Sequence, residues 1–231
     1  MSKAAKVAVG ATVLLGACAA AAWWFVLRDT AAPVASVDAV SNGGSAPAVD
    51  RPTPDGNWTV KTGDSVFVGY RISELFAAAT VKRTATGRTP RVQGTMSVAG
   101  RTVSSARVTA DLTELTSDQA RRDSAIHERG LETDRFPTST FTLAAPITLP
   151  ATPIKGRTYR VSATGDLLLH GVSRSLSIEL SAKWNGATIS VAGSTPVVLS
   201  DYGIAAIRVP GLVETDDRGS LELQILFVPA V

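Results

Sequence analysis

Cysteine is almost absent from this sequence. Cys18 is the only one, so no disulfide forms within the chain, and an exported domain would rely on its core alone. Histidine is nearly as scarce, with only His127 and His170. No HExxH or CxxC spacing occurs, so no metal site and no cofactor is expected. The formal net charge of +3 is too mild, and its carriers too evenly scattered, to argue for nucleic acid. No GxSxG elbow is present to carry a serine nucleophile. No repeat of roughly 20–50 residues is visible, which excludes a solenoid or propeller.

Long apolar runs are also missing, with one exception. Val7 to Leu27 is uncharged, with Lys3 and Lys6 before it and Arg28 and Asp29 after it. At ~1.5 Å per residue, a helix of that length spans the ~30 Å of a bilayer core. Trp23, Trp24 and Phe25 stand near its far end, where an aromatic belt would lie. Residues 1–28 therefore read as an N-terminal transmembrane helix. The basic start places the chain in the cell membrane as a single-pass protein with everything after Arg28 extracytoplasmic. Two rivals are a cleaved secretory signal ending near Ala20 and a lipoprotein signal, since Leu15-Gly16-Ala17-Cys18 is similar to a lipobox. The WWFVL run after Cys18 argues against both, because mature starts are usually polar. Residues 29–56 turn to Ala, Pro, Ser, Gly and Asp without periodicity and predict a flexible, disordered linker.

The folded domain is expected over 57–231, organised around Gly165 to Trp184. There, aliphatic and polar residues alternate on both sides of His170-Gly171, the pattern of an antiparallel hairpin. Further half-buried strands are predicted over Ser65–Ile72, Ala79–Arg83, Arg91–Val98, Ser104–Leu112, Thr138–Leu143, Thr188–Val197 and Leu221–Phe227. One short helix is predicted from about Asp118 to Arg129, with Thr116 and Gln119 as a capping box. A long loop is expected from Ser200 to Gly219. Eight or nine antiparallel strands and one helix fit either a closed barrel or a two-sheet sandwich.

The strongest site signal is an inward apolar stripe: Val66, Val68, Tyr70, Met96, Val108, Phe141, Val161, Leu167, Leu169, Ile178, Leu223, Ile225 and Phe227. Small residues share its faces (Gly94, Ala106, Ala110, Ala163, Gly165, Gly193) and leave room for a channel. A filled core is the alternative, because barrels of this strand number do either. Arg121, Arg122 and Asp123 on the helix would offer a charge to a lipid head group, or pin the helix. Lys82, Arg83, Arg88 and Arg91 form a basic cluster that would touch anionic lipid or guard a strand edge. His170 is expected in turn hydrogen bonding and His127 in solvent. No catalytic residue stands out.

Several segments together resemble the YceI-like family of bacterial exported proteins. They are Thr116-Ser117 with Arg121-Arg122-Asp123, Phe136-Pro137, Thr140-Phe141-Thr142, Gly165-Asp166-Leu167, His170-Gly171-Val172 and Asp201-Tyr202-Gly203-Ile204. The resemblance implies an all-β, antiparallel eight-stranded lipocalin-like barrel with one short helix. It also implies a polyisoprenoid-binding, non-enzymatic role, with a long isoprenoid-type lipid held in the barrel by the stripe, Ala110 and the Arg121–Asp123 segment. Three departures stand beside it: no histidine in the strand at Tyr70-Arg71-Ile72, AIHERGLETDRFP after the Arg-Asp pair, and an anchor plus linker in front. The alternative function is a cell-envelope interaction or structural domain with a filled barrel. The expected partners are the lipid and, through the N-terminal helix, the membrane, with no nucleic acid. The oligomeric state is left open, a dimer among the options.

Overall fold

The structure is a computed structural model, and it describes residues 31–40, 50–76, 82–209 and 213–230. The chain divides into two units, Met1–Ala31 and Ala32–Val231; only the second is described below. The transmembrane segment and Cys18 lie outside the described residues, as do residues 77–81, where a short strand was expected to begin. Among the described residues, no helix is long and apolar enough to cross a membrane.

The hairpin at the centre of the sequence is the longest regular feature. Strands β9 (Thr158–Leu169) and β10 (Val172–Trp184) pair from Leu169↔Val172 to Thr158↔Lys183. Their two-residue turn places His170 at φ 51 and Gly171 at φ 75. Positive φ at both central positions matches the right-handed twist of the flanking strands. Histidine is among the few residue types that adopt it readily.

Around this hairpin the remaining strands close a ring. They are β1 (Gly56–Val60), β4 (Val92–Ala99), β5 (Thr102–Asp111), whose start also pairs the short β8 (Ile147–Thr148), β7 (Thr138–Leu143), β11 (Ile189–Val198) and β13 (Val213–Pro229). The order β1-β4-β5-β7-β9-β10-β11-β13 returns to β1 through Trp58↔Pro229 and Val60↔Phe227. The protein is thus all-β, a closed eight-stranded antiparallel barrel with one short helix. β13 is 17 residues long, so it pairs β1 near its C-terminal end and β2 (Phe67–Phe76) along the rest. β2 pairs β3 (Lys82–Thr89), and β3 leads straight into β4. On its other side, β3 meets among the described residues only the two-residue β6 (Thr116–Ser117). Strand pairing among the described residues therefore does not close the barrel wall beyond that point.

Helix α1 (Ala120–Ala125) lies next to that gap and is shorter than the sequence predicts. Ile126–Gly130 continues it as a π-helical turn. The expected capping box does not form. Thr116-Ser117 is used in pairing to Gly87-Arg88, and Gln119 caps without its side chain. The expected loop from Ser200 to Gly219 is also broken up. It holds a 3-10 turn (Leu199–Tyr202), a short β12 (Arg208–Val209) and the start of β13, up to Gly219.

Two apolar clusters occupy the barrel. One gathers on Trp58, Met96, Val98, Trp184, Ile189 and Phe227. The other, at the α1 end, gathers on Ala110, Leu115, Ile126, Leu167, Leu169, Tyr202 and Ile204. Parts of the predicted linker are fixed to the outer wall. Ala32 and Pro33 give carbonyls to Arg71 (2.6 Å) and Arg88. The Ser36 amide donates to Gln224 Oε1 at 2.9 Å, and Val37 is buried. The physical cause lies under that strap: Glu222, 4% exposed, holds Arg71 at 2.7 Å and Arg88 at 3.4 Å, and these charges need polar partners when covered.

Candidate functional site

The inward alternation of the strands does not fill the barrel. A cavity of about 650 Å³ runs through it, bounded by both clusters. Of the sequence-predicted residues, Val68, Tyr70, Met96, Val108, Ala110, Phe141, Val161, Leu167, Leu169, Ile178, Leu223, Ile225, Phe227, Arg121 and Arg122 line it. Val66 and Asp123 do not. Val66 lies in the turn before β2 and packs in the Trp58 cluster. Asp123 accepts hydrogen bonds from the Ser117 amide (2.8 Å) and hydroxyl (2.6 Å).

The small residues divide into two sets. Ala106, Ala110 and Ala163 line the cavity and give it width. Gly94, Gly165 and Gly193 do not, because neighbouring atoms take their space. A Cβ on Gly165 would lie 2.4 Å from Phe141 Cζ and one on Gly193 2.6 Å from Leu180 Cδ2, whereas one on Gly94 would first meet the Arg107 carbonyl oxygen, at 2.6 Å. Sequence reasoning missed other lining residues. Leu180, Ala182 and Val191 continue the strand alternation and were within reach of it. Leu199, Ile204 and Ile207 line the cavity from an irregular segment with no periodic signal.

The polar side of the site is at the α1 end. Arg122 Nε and Nη2 donate to the two Glu74 carboxylate oxygens at 2.8 and 2.9 Å. Its Nη1 donates to Ser117 Oγ at 3.3 Å and to Asp118. The two side chains of the central pair are only 13% and 7% exposed. Burial pulls the Arg122 pKa down, but the Glu74 and Asp118 bonds and charges outweigh it and hold the guanidinium ionised. Its donors are thus given to protein acceptors. Arg121 is exposed on the rim. Tyr70 stands nearby, its hydroxyl buried and without a hydrogen-bond partner among the described residues. Burial raises its pKa well above the ordinary tyrosine value, against the Arg122 charge and with that of Glu74.

His170 has a bracing role. Its Nδ1 donates to the Tyr202 carbonyl at 3.1 Å, its Nε2 stands 3.3 Å from Glu132 Oε1, and its ring packs on Phe136. His127, expected in solvent, is partly buried, with Nε2 2.8 Å from the Leu115 carbonyl oxygen and Nδ1 3.1 Å from Thr133 Oγ1. The predicted basic cluster is dispersed. Lys82 pairs Asp216 at 3.0 Å, and Arg88 folds over the Phe67 ring beneath the strap. Among the described residues, no group of three histidine, cysteine, aspartate or glutamate side chains could hold a metal ion.

The YceI-like domain pattern matches residues 58–227. No curated protein matches the chain. A polyisoprenoid binding domain from Saccharophagus degradans, implicated in plant cell wall breakdown, is similar at 17% identity over 75% of this chain and 98% of its own, with a TM-score of 0.59. Burkholderia cenocepacia BcnA is similar at 18% identity over 68% and 95%, TM-score 0.50. The Campylobacter jejuni YCEI protein is similar at 14% over 63% and 85%, TM-score 0.50. At these identities the likeness is one of fold.

Proposed function

The chain belongs to the YceI-like family, and on that premise we propose that it is a lipid-binding protein that holds a long isoprenoid-type chain inside its barrel. One observation carries the reading: the interior is a continuous apolar cavity of about 650 Å³ where a filled core would leave only small voids. That volume falls within the ~300–1,000 Å³ of ordinary ligand pockets. The polyisoprenoid binding domain with which the barrel shares its fold supports the choice of an isoprenoid over a straight acyl chain. No reaction is part of the proposal. Val7–Leu27 would tether the barrel to the cell membrane on its extracytoplasmic side.

The test is organic extraction and mass spectrometry of the protein purified from its own membranes. A polyprenyl-type lipid near one per chain, on a protein that retains its N-terminal segment, is the expected result. A lipid-free, fully stable barrel would overturn the binding reading. A mature chain starting at Cys18 with acyl mass, or near Ala20, would overturn the tether.

A further inference from the structure

An apolar chain inside a closed barrel needs a way in. Helix α1 lies where, among the described residues, β3 meets only β6 and strand pairing leaves the wall open. The cavity extends beneath it to Gln119, Arg122, Ala125 and Ile126.

The two ends of this segment are held by different forces. Ala120–Ala125 has no buried residue, and a helix of six residues does not hold itself together in water. Polar contacts fasten it: Arg122 on Glu74 and Asp118, and Asp123 on Ser117. The π-helical turn that follows is anchored by burial. Ile126 and Gly130 are buried, and His127 is fixed to Leu115 and Thr133. One end is thus a latch of charge and the other a hinge of packing. Closure also keeps the Tyr70 hydroxyl and the Glu74 carboxylate from water. Both would be hydrated on opening, which lowers the cost of lifting the helix.

We propose that α1 is the gate of the cavity, latched by Arg122 on Glu74 and hinged at Ile126–Gly130, and that the apolar chain passes beneath it. The function given to the gate rests on the lipid-holding reading, whereas its local opening does not.

The test uses the full-length protein and two readouts. In hydrogen exchange, the amides of residues 119–125 should exchange through a local opening that leaves the β9–β10 hairpin protected. Glu74→Gln keeps one acceptor oxygen for Arg122 but loses the second and the charge, and should speed that exchange about tenfold with hairpin protection unchanged. In stopped-flow, the same variant should raise uptake and release of retinol, a fluorescent isoprenoid alcohol, by a similar factor each. A cleavable thiol cross-link between Glu74→Cys and Arg122→Cys, made in a Cys18→Ser background, should stop retinol exchange until it is cleaved. Exchange of residues 119–125 only with global unfolding would overturn the gate. So would retinol exchange at the parent rate through a cross-linked helix. Local opening in a parent that never takes up retinol would sink the lipid-holding reading and leave the hinged segment standing.

Discussion

Tyr70 is the residue at which the chemistry of the cavity is most exposed to test. Its neutral hydroxyl is buried beside an ion pair and has no partner among the described residues. Burial, the largest cause, raises its pKa in the folded state. The sign of the linkage follows from that direction. Below the ordinary tyrosine pKa of ~10 both states are protonated and the group contributes no slope. Above it the unfolded chain loses the proton first, so stability falls as pH rises toward the folded value. Tyr70→Phe should therefore flatten the decline in unfolding free energy above about pH 10, by up to ~1.4 kcal/mol per pH unit. Tyr202, also raised by burial, keeps a residual slope in the variant. Below pH 9 the variant should equal or exceed the parent, because an unsatisfied polar atom is removed. Urea titrations across this range decide it. An unchanged slope would mean that the hydroxyl ionises freely.

The elements show what alternation can and cannot reveal. β7 and the β9–β10 hairpin follow the sequence pattern to within a residue or two, because aliphatic residues on one face and polar ones on the other report a half-buried strand directly. β3, KRTATGRT, carries no such alternation beyond its first residues. It is a strand because β2 pairs along it and the Tyr70 ring lies over Gly87, which a Cβ there would strike. The start of β13, VETDDRGS, is polar for a similar reason: it pairs the outer part of β2. α1 was legible as a helix, but its length was not, because Thr116-Ser117 is taken by tertiary pairing. Gly165 in β9 makes a sharper case. It suggested cavity space by its smallness, yet the structure assigns that space to Phe141. Gly165→Ala should cost ~1–3 kcal/mol by overpacking. The gain of ~0.4–1 kcal/mol from a stiffer unfolded chain does not offset that, because the Thr142 carbonyl oxygen, also 2.4 Å away, is backbone and cannot rotate aside. Denaturant unfolding of the variant is the check, and a stabilised protein would show that β7 yields there.

At the scale of the whole molecule, periodicity left barrel and sandwich open, and the family resemblance alone favoured the barrel. The deciding contact, β1 on the end of β13, spans only three paired residues and leaves no signature in either strand. Whether the interior was filled was equally illegible, since a stripe of aliphatics reads the same against a core or a cavity. The structure makes the distinction measurable. Ala106 and Ala110 both line the cavity, but Ala110 is buried in the α1-end cluster whereas Ala106, beside the Trp58 cluster, is only partly buried. A tryptophan at Ala106 would extend into open volume. Were the barrel solid, the same change would force neighbours aside at ~1–3 kcal/mol. Ala106→Trp should therefore keep the parent melting temperature within a few degrees, since each kcal/mol moves it by only ~2–4 °C in a domain of this size. It should also lower retinol affinity by at least about tenfold, as a drop of ~1.4 kcal/mol or more in binding. Thermal unfolding and retinol fluorescence titration on one preparation give both numbers. A large loss of stability with unchanged retinol affinity would mean that the volume is not where lipid goes. A stable variant that still binds at parent affinity would place the chain in the far half of the barrel, at the α1 end toward Leu167 and Ile204.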